Sequence, residues 1–153
     1  MKRTATKTLA IITIPVVAIA MSFLALSQLA SDVSLSDWYQ NDTGYRQAMA
    51  EQSVNTKPII LFFHTQWCTS CKALKENVLV AASTKEILEN FISVAIDPEI
   101  NSRTQAIARQ YNVLGFPTIV VISAQAAATR YYYPKRGVAP EQFATAIQKL
   151  AIL

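Results

Sequence analysis

Two cysteines, Cys68 and Cys71, are the only ones among 153 residues, and both lie in the heptapeptide QWCTSCK. Three chemistries compete for such a pair: a structural staple, half of a metal site, or a working thiol–disulfide couple. A disulfide closing a four-residue loop stabilises a fold by only about 2 kcal/mol in the chain-entropy picture, far less than one closing a long loop. A tetrahedral metal site needs four ligands. The single histidine, His64, stands four residues before Cys68, but it ends a predicted strand while Cys71 falls inside a predicted helical turn. No convergence follows, no metal is expected, and His64 reads as a half-buried neighbour of the site. The redox reading explains more. A Cys-x-x-Cys placed between a strand and a helix sets its first sulfur at an exposed helix N-terminus, where unpaired N–H groups and the positive dipole end favour a thiolate. The second cysteine, one turn on, is placed to resolve a mixed disulfide.

The elements around the pair are legible. Ile59–Phe63 is a continuous apolar run after Pro58, as a central strand covered on both faces requires. Cys68 to Val80 reads as a helix with Ala73, Leu74, Asn77 and Val78 near one face. A short helix over Ser83–Asn90 has Ser83 as its cap and Glu86 three residues on. Phe91–Ile96 is a strand. Asn101–Tyr111 is a helix capped by Asn101 or Ser102. Thr118–Ile122 and Thr129–Lys135 are strands joined by the hairpin-like SAQAAA. Pro140 opens a last helix with Phe143, Ile147 and Leu150 on one face. A first helix occupies TGYRQAMAEQSV, with Asp42 or Thr43 as N-cap. Strands alternating with helices predict a parallel βαβ unit, and the closing strand pair is antiparallel.

The N-terminus is a different matter. Lys2, Arg3 and Lys7 precede an uncharged stretch from Leu9 to Ala30. That pattern is an export signal. Its length is close to the roughly 20 residues that span a bilayer, and exceeds the apolar region of a cleaved signal. It is read as a retained anchor, with the basic flank in the cytoplasm; cleavage near the small residues Ala25 and Ser27 is the alternative. Residues 31–42 form a connector that lays Trp38 and Tyr39 onto the domain, and 43–153 form that domain. Three of the four net positive charges belong to the flank, because from Ser31 onward eleven basic residues face ten acids. Such a balance is no footprint for nucleic acid.

The stretches KPIILFFHTQWCTSCKALKENVL and YNVLGFPTIVVI together resemble the thioredoxin superfamily, and within it the C-terminal thioredoxin-like domain of DsbD-type periplasmic disulfide reductases. The resemblance covers about Tyr45 to Leu150. It implies a three-layer α/β fold, a central mixed sheet with helices on both faces, here preceded by an N-terminal hydrophobic helix. It implies Cys68 as nucleophile and Cys71 as resolving thiol. It further implies a cis bond between Phe116 and Pro117, in a loop that binds a substrate strand through its backbone. Trp67 would shield the site, and Lys72 and His64 would support it. Relatives carry acids where this chain has Phe62 and Lys75.

The expected activity is that of a membrane-anchored thiol–disulfide oxidoreductase in the periplasm, of the protein-disulfide reductase type, without cofactor. Its partners would be disulfide-containing or dithiol proteins and a thiol electron donor. A disulfide-forming oxidase and a non-catalytic chaperone or assembly module are the competing functions.

Overall fold

The computed structural model describes residues 35–124 and 128–152. The expected membrane helix at 9–30 lies outside them. Among the described residues no helix is long and apolar enough to cross a membrane.

The chain runs β1 (Tyr39–Gln40), α1 (Asn41–Asn55), β2 (Ile59–Phe63), α2 (Thr69–Leu74), a π-helical turn (Lys75–Leu79), α3 (Ala82–Leu88), β3 (Ile92–Ile96), α4 (Ser102–Gln110), β4 (Thr118–Ile122), β5 (Thr129–Tyr132) and α5 (Pro140–Ile152). The strands form one sheet in the order β1-β3-β2-β4-β5. β3 pairs in parallel with both β1 and β2, whereas β4 is antiparallel to β2 and to β5. The mixed sheet with helices on both faces is the predicted α/β architecture.

Strand alternation sorts the core into two layers. Ile60 and Phe62 of β2, Ala95 of β3 and Ile119 and Val121 of β4 face one way, against Leu74, Val78, Leu88, Phe143 and Ile147. Ile59, Leu61, Phe63, Ile92, Val94 and Val120 face the other, against Ala48, Ile107 and Ala108 of α1 and α4. All five residues of β2 are fully buried. Each such side chain contributes about 1.5–3 kcal/mol, which makes this strand the mechanical base of whatever follows it.

Several boundaries differ from expectation for physical reasons. α1 begins at Asn41, after Gln40, with no side-chain cap. Asp42 is instead inside the first turn, bonded to Arg46 at 3.0 Å and reached by Arg103 at 3.8 Å. α3 has Ala81 at its N-cap, and Ser83 donates to Glu141 at 3.3 Å rather than closing a capping box. The box occurs on α4, where Asn101 accepts from the Arg103 and Thr104 amides at 2.9 Å each. The π-turn rotates the end of the second helix, so Leu79 joins Val78 in the core while Asn77 faces solvent and donates to the Ala73 carbonyl. β1 was not expected. Gly44 permits it, since a Cβ there would lie 2.7 Å from the Tyr39 carbonyl carbon.

Candidate functional site

β2 ends at Phe63, the chain turns through His64 to Trp67, and α2 begins at Thr69 with Cys68 as its N-cap. Cys68 and Cys71 are joined, S–S 2.02 Å, with their Cα atoms 5.2 Å apart. The Cys71 amide donates to Cys68 Sγ at 3.1 Å. That sulfur therefore receives the kind of N–H donation that stabilises a thiolate at a helix start. One expectation needs correction. Cys68 is only 4 % exposed, not at an open helix end, while Cys71 is 0 % exposed. Both belong to the apolar cluster with Phe62, Leu74 and Phe143, so burial opposes the helix end at both sulfurs.

Trp67, next to Cys68 in the chain, is 67 % exposed. Its indole Nε1 donates to both oxygens of Glu99, at 3.1 and 3.0 Å. Its ring meets Phe116 edge to face, centroids 6.2 Å apart. The Phe116–Pro117 peptide is cis. Thr118 Oγ1 donates to the Gly115 carbonyl at 2.7 Å and closes that loop. Leu114, 98 % exposed, stands beside it in sequence. Pro117 also lines an open groove of about 550 Å³, together with Thr69, Ser70, Ala73, Lys135 and Arg136. Trp67 thus meets Phe116, Phe116 packs against the buried cluster that holds Cys68 and Cys71, and Pro117 shares a groove with the first residues of α2.

Neither His64 nor Lys72 lines the groove beside Pro117. Lys72 is exposed and has no ion pair among the described residues. His64 is half-buried, its amide donating to the Ile96 carbonyl at 3.0 Å. Its ring stacks on Phe62 with centroids 5.0 Å apart. Burial, then the charge of Lys75, holds its imidazole below the ordinary value of 6.5, and Asp97 pulls weakly the other way. No cluster of histidine, cysteine and acidic side chains fit for a metal occurs among the described residues.

Glu99 escaped the sequence reading. It lies in the loop after β3, thirty-two positions from Trp67. Only the register of β3 beside β2 brings that loop to the site, and the only cue in the sequence was an acid just past the C-terminal end of a parallel strand.

A family model described as thioredoxin-like matches residues 37–124. The thiol:disulfide interchange protein DsbD of Campylobacter jejuni is 32 % identical over 92 residues, which cover 60 % of this chain and 16 % of that protein. The chain therefore spans about a sixth of the length of that relative. A thioredoxin from Thermus thermophilus superposes with a TM-score of 0.62 at 20 % identity, covering 75 % of this chain and 88 % of that one. The oxidised C-terminal domain of DsbD from Neisseria meningitidis gives 0.53 at 23 % identity, covering 71 % and 96 %. At such identities the two structures speak for the fold.

Proposed function

The chain belongs to the thioredoxin-like family, and from that premise we propose that it is a thiol–disulfide oxidoreductase reducing disulfides in partner proteins, anchored in the inner membrane by residues 9–30 with its domain in the periplasm. One observation carries the reading. Cys68 caps a helix, with the Cys71 amide on its Sγ and Trp67 just before it in the chain, and the first residues of that helix share a groove with Pro117.

The chemistry balances as a two-step exchange. The Cys68 thiolate attacks a partner disulfide, forming a mixed disulfide and releasing one partner thiolate. Cys71 then attacks Cys68 Sγ. The mixed disulfide breaks, the second partner sulfur leaves with its electron pair, and the Cys68–Cys71 bond forms. The partner has gained two electrons, and a thiol donor returns them to the pair. Trp67, Phe116 and Pro117 offer the docking surface, with the loop backbone free to pair with an extended partner segment. The export pattern of the first thirty residues supports a disulfide-permissive compartment.

The test is insulin reduction with dithiothreitol by the reduced domain, and by Cys68→Ser. Activity lost in that variant supports the reading. Equal rates in both would leave a binding module. Cys71→Ser should accumulate mixed disulfides through Cys68, and the equilibrium with glutathione separates reductase from oxidase.

A further inference from the structure

Cys71 is fully buried. In the reduced pair its sulfur carries a proton, and that proton must leave before the sulfur attacks. Water does not reach it, so a neighbouring side chain has to take it.

The face of the sheet that bears the disulfide also bears Ile60 and Phe62 of β2. Strand alternation continues that face to position 64. His64 is the only histidine in the chain. Its ring stacks on Phe62, itself packed in one cluster with Cys71. From the helix side, the Lys75 amide bonds the Cys71 carbonyl, one turn on, and the Lys75 charge acts on His64. From the end of β3, Asp97 faces it as well, its own carboxylate already accepting the Glu99 amide at 2.9 Å. His64 is thus stacked on a member of the cluster that holds Cys71, near the charge of a residue bonded to the Cys71 carbonyl, and it is half-buried, between core and solvent. Lys75 is a cation and cannot accept a proton. A neutral imidazole can.

We propose that His64 is the proton acceptor for Cys71. When a Cys68–partner disulfide is resolved, the Cys71 S–H bond breaks and its proton passes to the imidazole. The sulfur bonds Cys68 Sγ, and the partner sulfur leaves with the electrons of the broken bond. The imidazolium then releases its proton to solvent. This step rests on the disulfide-exchange reading above. The surroundings favour the form the step needs, because burial and Lys75 both keep the ring neutral.

The reduced protein mixed with 5,5′-dithiobis(2-nitrobenzoate) reports both steps by absorbance. Attack by Cys68 releases a first thionitrobenzoate, and resolution by Cys71 releases a second. In the native protein the second rate should fall as pH drops through the His64 midpoint, below 6.5. In His64→Gln it should slow on the order of 10²-fold at neutral pH and lose that acid limb. The same second-phase profile in both proteins overturns the proposal. A native protein that shows no first release overturns the exchange reading itself, which keeps the two failures distinct. Should the variant not fold, the single imidazole signal is followed by NMR in the oxidised and reduced native protein. Coupling to the pair requires different midpoints in the two states, and identical midpoints overturn the proposal.

Discussion

Trp67 and Glu99 are thirty-two positions apart, yet the indole N–H of one is held between the two carboxylate oxygens of the other, at 3.1 and 3.0 Å. This contact ties the loop before Cys68 to the loop after β3. It fixes a ring otherwise largely in water, on the residue just before Cys68.

Glu99→Ala frees that ring. The bond is exposed, so global stability should change by less than about 1 kcal/mol. Exchange with a protein disulfide should slow severalfold while attack on a small disulfide stays unchanged. Denaturant unfolding and the two exchange rates check this. A large stability loss would make the contact structural instead.

Gly44→Ala tests β1. The new Cβ would meet the Tyr39 backbone at 2.7 Å, and backbone cannot step aside as a flexible side chain does. A cost of about 1–3 kcal/mol is expected, with faster amide exchange at Tyr39 and Gln40, which pair with Val94 and Ala95. Wild-type protection at those two amides would show that the strand does not depend on the glycine.

What could be read from the residues alone follows from where the information sits. β2 and β4 were legible because runs of five and four consecutive apolar residues admit few other fates, and the Asn101 cap because Asn101 and Thr104 are neighbours in the chain. β1 was not, since its two residues are held by pairing with β3, more than fifty positions on. The cysteine pair and the Pro117 loop were visible as motifs. The burial of Cys68 was not, because it depends on Phe62 of β2 and on Phe143 and Ile147 of α5 arriving from distant parts of the chain. The π-turn evaded the 3.6-residue period for a simpler reason, that it breaks that period.

Acid should destabilise the protein in two stages. His64 is depressed in the folded state, so below its unfolded value of 6.5 the unfolded chain binds more protons. Its contribution is therefore complete above 6.5 and is lost as pH falls through the folded midpoint. Asp42, held below 3.8 chiefly by the Arg46 guanidinium, contributes above 3.8 and loses that contribution further down. Urea midpoints measured against pH should show the upper stage vanish in His64→Gln and the lower one in Asp42→Asn. A native curve flat between pH 7 and pH 5 would contradict the first assignment.

At Cys68 two effects oppose each other. The Cys71 amide and the helix start favour a thiolate, and burial disfavours it. The hydrogen bond acts at contact distance on the sulfur itself, so it should prevail and hold the thiol below the free-thiol value of about 8.5. Thiolate absorbance against pH in Cys71→Ser measures it, since the backbone donor at position 71 survives. A midpoint at or above the free value would mean that burial wins. Cys71 in the reduced native protein should alkylate far more slowly than Cys68.

The groove beside Pro117 has a sign. Lys135 and Arg136 line it, both exposed, and no acid does. Neither has an ion pair among the described residues. A partner segment with acids flanking its cysteine should therefore be reduced faster than one with bases. The gain should lie in the association rate and fade with salt, because the Debye length shrinks from about 10 Å at 0.1 M to about 3 Å at 1 M. Lys135→Glu with Arg136→Glu should invert the preference and leave attack on a small neutral disulfide unchanged. Two matched peptides, one acidic and one basic, measured at both ionic strengths decide the matter. Equal rates for both peptides at low salt would show that the two cations lie off the path of the partner chain.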